Sequence, residues 1–396
     1  MNNNQQGNSG LEIDATKLKE KLDKGEDVFI LDVRTPEEYD AWRLSYDKHE
    51  KTPLIPVDRL FMSRKLIEDN LPKDKEIVTL CSHGNRSMMA AQMLSRMGYK
   101  VKSVKGGMSA WNHVYDATEL SLPSLSLLGA RVWQLRRISK GCMTYVVAAG
   151  NTATVIDSSC DISNSVLAVA RENGLTITNV VDTHMHADHV SGMSMLARET
   201  GAKAHISAAE GYAPSSDAGV IPNQISDGYK IPVGNNVYLR AIHTPGHTDG
   251  SVCFALEKDG AQYNVLFTGD TIFVNAVGRP DLRDKAQEFA DSLYHTYQGK
   301  ILTLPDETVI LPAHFDTNTI TPKHGEPITE KIGEAKKNIK VLSMNKEEFV
   351  KFMVSSVPPR PANYRTIISI NKELLPCDQF NMGDLEAGPN SCAIRM

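Results

Sequence analysis

The sequence predicts an α/β protein built as two consecutive units, and three observations predict it. From Leu11 onward, apolar runs of strand length alternate with segments of helical spacing; the alternation breaks down between about Asp116 and Gly129; and from Arg131 a different, strand-rich rhythm begins. Strands alternating with helices imply a mostly parallel sheet. A chain of 396 residues also exceeds what one core ordinarily fills.

In the first unit, residues 11–118, D-V-F-I-L-D-V (Asp27 to Val33) reads as a buried strand and P-E-E-Y opens a helical turn. E-I-V-T-L-C (Glu76 to Cys81) is a second strand that runs straight into C-S-H-G-N-R-S. Ser87 to Gly98 has helical spacing and stops on a glycine suited to a left-handed cap. Y-K-V-K-S-V is a further strand, followed by G-G-M-S-A-W. Residues 119–130, with Ser, Leu and one Pro, read as a surface-packed connector. In the second unit, residues 131–396, C-M-T-Y-V-V-A-A-G and T-A-T-V-I-D-S-S are two strands joined by a turn at Gly150-Asn151. A helix over Asn164 to Asn173 follows, then I-T-N-V-V-D-T, V-Y-L-R-A-I-H-T, S-V-C-F-A-L and Y-N-V-L-F-T-G-D as strands. The last portion, after Glu326, is helical and then irregular.

Bulk properties narrow the function. A net charge of -5 gives no reason to expect nucleic acid or an anionic membrane as partner. No apolar run approaches the roughly 18 residues of a membrane helix. Residues 1–10 are polar, lack the pattern of a secretory signal, and are expected to form a disordered leader. Six cysteines without a C-x-x-C pair fit a reducing cytoplasm, where a thiol stays free and reactive.

Two segments carry chemistry. His184, His186, Asp188 and His189 crowd into T-H-M-H-A-D-H directly after an apolar strand, where α/β scaffolds expose polar groups to a cleft. His247, Asp270 and His314 follow, each after an apolar stretch and among turn residues. Imidazole and carboxylate together suit zinc or iron, and burying four such groups without a metal is costly. His49, His205 and His295 read as ordinary surface or core histidines. The second segment is C-S-H-G-N-R (Cys81 to Arg86), between a strand and a helix. Backbone N–H groups at a helix start can converge on the Cys81 sulfur and cradle an anionic persulfide, with Arg86 adding positive charge. Cys142, Cys160 and Cys253 read as buried structural thiols.

H-x-H-x-D-H, G-H-T, G-D and P-A-H, in that order, resemble the metallo-β-lactamase superfamily, which implies an αββα sandwich with metal at one edge. S-K-G-C-M-T-Y-V-V resembles the first strand of the persulfide dioxygenases, a mononuclear iron branch. That resemblance implies one Fe(II) per chain, with zinc as the alternative, held by His184, His247 and Asp270. His186, Asp188, His189 and His314 would orient those ligands. G-R-P-D (Gly278 to Asp281) resembles the branch's G-R-T-D, which implies that Arg279 holds the thiol substrate or organises the pocket; Met185 stands where many relatives carry Cys.

L-D-V-R-T-P-E-E-Y, the Cys81 loop and G-G-M-S-A-W resemble a rhodanese. On that resemblance Cys81 carries sulfur with Arg86 as its catalytic partner, Ser82, His83, Gly84 and Asn85 bind the donor, and Asp32 and Arg34 hold the loop and sheet. The G-H that relatives carry after Tyr39 is absent, so that loop is expected to be remodelled.

Together the resemblances imply a fusion of a rhodanese-like α/β domain with a persulfide dioxygenase. Its substrates would be a small thiol persulfide, O2, and thiosulfate or sulfite, its location the cytoplasm, and its assembly a dimer or tetramer. Glutathione, coenzyme A and bacillithiol all stand as possible carriers. The alternatives are a two-zinc thioester hydrolase of the glyoxalase II kind and a non-catalytic sulfur-relay protein. Asp384, Gly388 and Cys392 near the end read as packing elements.

Overall fold

A computed structural model describes residues 9–212, 219–281, 285–361, 363–375 and 379–395; residues 1–8 of the expected leader lie outside them. The first unit runs β1 (Glu12–Ile13), α1 (Ala15–Asp23), β2 (Val28–Asp32), α2 (Pro36–Ala41), α3 (Val57–Met62), α4 (Arg64–Asn70), β3 (Glu76–Leu80), α5 (Asn85–Arg96), β4 (Val101–Val104) and α6 (Gly107–Trp111). Its strands form a parallel sheet in the order β1-β4-β3-β2. Ile30, Val78, Leu80 and Val104 pack on Leu18, Met108 and Trp111 on one face, while Leu31, Ile77, Ala91 and Leu94 form the other. Strands buried on both faces explain their nearly continuous apolar sequence.

The second unit opens with β5 (Tyr115–Glu119), α7 (Pro123–Leu128), β6 (Ala130–Arg137), β7 (Met143–Ala149), β8 (Thr152–Ile156), α8 (Ser163–Glu172), β9 (Thr176–Val181), α9 (Met193–Thr200), β10 (Lys203–Ser207) and β11 (Asn223–Ile225). These strands make one seven-stranded sheet, ordered β11-β10-β9-β8-β7-β6-β5. A six-stranded sheet faces it, ordered β12 (Lys230–Gly234), β13 (Val237–His243), β14 (Val252–Lys258), β15 (Ala261–Gly269), β18 (Val309–Pro312) and β19 (Glu330–Lys331). Val132, Val147, Ile231, Leu239, Phe254 and Phe267 fill the space between the sheets. Outside the first sheet, Val166 of α8 and Leu196 of α9 cover Val146, Val155 and Val180. Outside the second, Leu293 of α10 (Ala286–Thr296), Ala335 of α11 (Ile332–Asn338) and Phe349 of α12 (Lys346–Ser355) cover Cys253 and Leu266. The architecture is an αββα sandwich. A small sheet of β16 (Ile272–Phe273), β17 (Ala276–Gly278) and β20 (Ala393–Ile394) sits beside it, and α13 (Tyr364–Asn371) and α14 (Met382–Leu385) precede β20.

The boundary expected at residue 118 falls inside β5, which pairs antiparallel with β6 from Tyr115↔Arg137 to Glu119↔Trp133. The stretch expected to be a connector is likewise built in, since Leu120, Leu125 and Leu128 enter the core between the sheets. Its lack of polar alternation reflects that burial. The two units are tied together by Lys19 of α1, which pairs with the buried Asp116 of β5, itself held by Arg136, and by Trp42 Nε1, which donates to Ser139 O at 3.1 Å. Among the described residues, no helix is long and apolar enough to cross a membrane.

Candidate functional site

The metal-ligating candidates converge at one end of the sandwich. His184 to His189 form the loop after β9, His247 lies between β13 and β14, Asp270 follows β15 directly, and His314 follows β18. All are buried. Asp157, at the end of β8 and in the left-handed region at φ 52°, fixes the first loop. Its carboxylate accepts from Thr183 N at 2.7 Å and Thr183 Oγ1 at 2.9 Å, and it lies 3.2 Å from His186 Nε2. Since Thr183 Oγ1 donates to Asp157, it accepts from His184 Nδ1, 2.9 Å away. His247 Nδ1 donates to Arg279 O at 2.9 Å. Both rings therefore carry their proton on Nδ1 and present a lone pair at Nε2.

Those lone pairs meet one carboxylate oxygen. Asp270 Oδ2 is 3.6 Å from His184 Nε2 and 3.5 Å from His247 Nε2, and neither Asp270 Oδ2 nor His247 Nε2 has a hydrogen-bond partner. Ligands about 2.1 Å from a shared ion stand roughly 3.0–3.4 Å apart for octahedral or tetrahedral angles, so the separations fit a metal between them. Leaving such buried atoms unsatisfied would cost about 1–3 kcal/mol each. Burial, then the neighbouring His186, pushes the His184 imidazole well below its ordinary pKa, and burial lowers His247 as well; both are neutral and able to ligate. Burial alone would raise Asp270, but the charge on His314 and its hydrogen bond to the carboxylate outweigh that and hold the carboxyl far below its usual range.

His314 Nδ1 donates to Asp270 Oδ1 at 2.6 Å and so orients the carboxylate that faces the two imidazoles. Its Nε2 lies 3.0 Å from Asp188 Oδ2, while Asp188 Oδ1 is 3.0 Å from His189 Nδ1. Cys142, expected to be a plain buried thiol, joins this second group, with Sγ 3.5 Å from Asp188 Oδ2 and 3.8 Å from His189 Nδ1. Cys142, Asp188, His189 and His314 thus form a second possible metal cluster. His186 packs beside His184 with ring centroids 4.2 Å apart, its Nδ1 without a partner. Met185 turns away into an apolar contact with Ile206 and Tyr212.

Arg279 is bound on every side. Its Nε and Nη2 bind Asp281 at 2.7 and 3.0 Å, Nη2 also donates to Pro358 O, and Nη1 donates to Pro359 O and to Ser391. With every guanidinium hydrogen engaged and the residue wholly buried, Arg279 holds the wall that carries His247 and has no donor left for a substrate carboxylate.

In the first unit, Cys81 follows β3 and Gly84, at φ 95°, turns the loop into α5. Gly84 N donates to Cys81 Sγ at 3.1 Å and Ser87 Oγ lies 3.4 Å from it. His83 and Asn85 stand exposed at the rim, and Ser82, Gly84 and Arg86 are half-buried. The positive charge expected from Arg86 is not free: its two Nη groups bind Glu38 at 2.7 and 2.6 Å, and Nη2 reaches Ser82 Oγ at 3.1 Å. The same hydrogen bonds hold the Glu38 carboxyl down at about 2. Behind the loop, Arg34 and Asp32 form a buried pair at 2.7 Å.

Glu38, Ser87, Asp157, Thr183 and Asn371 also shape the two sites, though neither motif assigns them a role. Asn371 Nδ2 donates to His186 O and His189 O at 2.9 and 3.0 Å, and its Oδ1 accepts from Ser191 N at 2.8 Å. Asp157 ends an apolar strand as polar site residues do, which was a usable signal; Asn371 lies on a distant helix and carried none.

Comparison with known proteins agrees with this layout. Residues 14–113 match the rhodanese-like domain and residues 140–314 the metallo-beta-lactamase superfamily. The chain is 32% identical over 227 residues to the mitochondrial persulfide dioxygenase ETHE1 of Bos taurus, covering 56% of this chain and 80% of that protein. The crystal structure of ETHE1 from Myxococcus xanthus superposes with a TM-score of 0.51 at 30% identity, covering 61% of this chain and 97% of that one. A metallo-beta-lactamase from Staphylococcus aureus subsp. aureus COL gives 0.52 at 28% identity over 66% and 72%.

Proposed function

The chain belongs to the persulfide dioxygenase family of the metallo-beta-lactamase superfamily, with a rhodanese-like domain ahead of it, and from that premise we propose that it oxidises a small thiol persulfide with O2 at a single iron(II) site. One persulfide, one O2 and one water become one thiol, one sulfite and two protons. The observation that carries the reading is the convergence of His184 Nε2 and His247 Nε2 on Asp270 Oδ2 at 3.6 and 3.5 Å, with the tautomer of each imidazole fixed from behind.

Bound iron(II) would supply a redox-active centre that accepts soft sulfur donors and leaves open positions for substrate and O2. The chain's own residues would do the rest. Thr183 and Arg279 O keep the lone pairs aimed, His314 keeps Asp270 turned inward, and the buried surroundings exclude water. His186, Asp188 and His189 support the loop. In the first domain, the Cys81 thiolate attacks the outer sulfur of a persulfide or thiosulfate; a new S–S bond forms on Cys81 and the donor leaves as thiol or sulfite. Gly84 N and Ser87 Oγ hold the sulfur, and Arg86, fixed by Glu38, shapes the loop with Ser82.

The cluster of Cys142, Asp188, His189 and His314 favours a second reading, a two-metal hydrolase that activates water on a thioester. Like the triad, that cluster holds buried nitrogens without a hydrogen-bond partner, His189 Nε2 and His314 Nε2, so metal content and turnover separate the two readings. O2 uptake and sulfite release by the iron-loaded chain, with glutathione, coenzyme A and bacillithiol persulfides, test the proposal. About two zinc ions per chain with thioester hydrolysis and no O2 uptake would overturn it in favour of the hydrolase. No turnover of either kind would leave a sulfur-relay protein.

A further inference from the structure

A short strap near the end of the chain, residues 386–394, bonds the loops of His184–His189 and His314 directly and reaches His247 through Arg279. Glu386 is buried, and its Oε1 accepts from Val190 N at 2.7 Å, one residue beyond His189. Asn390 Nδ2 donates to Phe315 O at 2.9 Å, one residue beyond His314. Cys392 O accepts from Arg279 N at 3.0 Å, and Arg279 O in turn holds His247. Ala393 and Ile394 then pair with Gly278 and Val277 of β17.

The same strap reaches the rhodanese-like domain. Asn112, just after α6, donates through Nδ2 to Glu386 O at 3.2 Å, and Asn112 O accepts from Arg137 Nε at 2.6 Å. Arg137 is wholly buried and pairs through Nη1 with Glu386 Oε2; Lys140 Nζ adds a bond to Glu386 O at 3.0 Å. Helix α6 is the element behind the sulfur loop, since Met108 N donates to Cys81 O at 2.8 Å and Ser109 N to Ser82 O at 3.0 Å. A continuous set of hydrogen bonds therefore runs from the Cys81 loop through α6 and Asn112 to Glu386, and from Glu386 to the loop of His184–His189.

We propose that Glu386 is a positioning residue for the metal loop, and that it links the loop's geometry to the rhodanese-like domain through Asn112. Burying a carboxylate is unfavourable unless both oxygens are matched. Here one oxygen meets the Arg137 guanidinium and the other makes a charge-assisted bond to a loop N–H, so one side chain fixes the loop against a rigid cation. Aspartate, one methylene shorter, keeps the charge but cannot reach both partners. The inference rests on the reading that His184, His247 and Asp270 hold a metal.

Cobalt(II) titration of the chelator-stripped full chain, followed by its visible ligand-field bands, tests this without relying on turnover. Glu386→Asp and Glu386→Gln are expected to weaken Co(II) binding about 2–30-fold, as loss of a residue that acts through another does, and to shift the bands. Asn112→Ala, which removes one neutral hydrogen bond, is expected to weaken it roughly 3-fold. Met353→Ala, in the core on the outer face of the second sheet, lowers the melting temperature but is expected to keep wild-type Co(II) affinity, which separates positioning from general destabilisation. Wild-type affinity and band shape in the Glu386 variants would overturn the positioning role, and wild-type affinity in Asn112→Ala would overturn the link between domains. If the Glu386 variants fail to fold, Arg137→Lys, which keeps the charge but not the planar fork that holds Glu386, takes their place, and wild-type affinity there would overturn the positioning role. Wild-type protein that binds Co(II) yet consumes no O2 when iron-loaded would overturn the oxygenase reading and leave the positioning role standing; no Co(II) binding at all would overturn both.

Discussion

The Cys81 loop and the His184–Asp270 site are both built at the C-terminal ends of strands, yet they solve different problems. The sulfur loop is contiguous, half-open to solvent, and gathers its donors from its own backbone and neighbours, with one ion pair to Glu38 as its brace. The metal site is assembled from four loops of the sandwich, wholly buried, and stays mutually compatible only if an ion or a network of ion pairs matches its charges. A loop that needs only N–H groups and a thiol can be encoded locally. A site that must exclude water and collect ligands has to be distributed over the fold. One device is common to both: a glycine backs each loop where a side chain would strike its backbone. A Cβ on Gly107 would lie 2.1 Å from Cys81 O, and one on Gly278 would lie 2.0 Å from Asp270 O.

The strongest way to break the contrast is to remove one ligand. His247→Ala is expected to reduce both metal content and O2 uptake to background while sulfur transfer stays within about twofold of wild type, because the first domain has its own core. Metal analysis alongside both assays checks this, and retained iron would show that the triad is wrongly chosen. The mirror experiment, Cys81→Ser, is expected to abolish sulfur transfer and leave O2 uptake largely intact; loss of both would mean that the two chemistries are obligately coupled.

Smaller effects follow from the backing glycines. Gly278→Ala and Gly107→Ala are each expected to destabilise by about 1–3 kcal/mol, the first impairing the oxygenase and the second the sulfurtransferase. Assaying both activities in both variants would blur the comparison if either change struck both sites equally. Chelation is expected to lower the melting transition of the second domain alone, by about 3 kcal/mol or more when the metal had stood a hundredfold above its Kd; calorimetry showing an unchanged transition would argue that the ion pairs suffice without metal.

The smallest effect concerns Glu38. The hydrogen bonds from Arg86 depress its carboxyl to about 2 from an ordinary 4.5. A depressed carboxyl contributes stability above its unfolded value, and that contribution is lost as pH falls from about 4.5 towards 2. Glu38→Gln is expected to cost only about 0.2–1 kcal/mol, because the pair is partly exposed, and to remove that acid-dependent step from the melting curve. A pH series of melting temperatures that runs parallel in variant and wild type would count against the pair as the loop's brace.

Much of this was readable because the informative residues sit close together in sequence. T-H-M-H-A-D-H and C-S-H-G-N-R each end an apolar strand, so a strand reading also placed the chemistry at a sheet edge. The hairpin at Gly150 followed from the turn residue between two apolar runs, and Gly150 does take a positive φ of 68°. The surroundings of Arg279 were not legible because a motif names a residue without counting the acceptors around it; five engaged N–H groups appear only once Pro358, Pro359 and Ser391 fold back onto it. The connector misled because burial of Leu120, Leu125 and Leu128 depends on a facing sheet that the local pattern does not reveal. Asn371 and Glu386, which clamp the metal loop, lie nearly two hundred residues away from it and follow no local period.

By itself, then, the sequence determined the two-unit α/β plan, the reactive thiol loop and the set of metal-binding residue types, since each is written in short-range periodicity or adjacency. Tertiary structure alone decided which donors converge, which arginines are already matched, and that the strap from Glu386 to Ile394 lies against the metal loops. Those outcomes depend on distances between atoms far apart in the chain, and a one-dimensional pattern does not carry such distances.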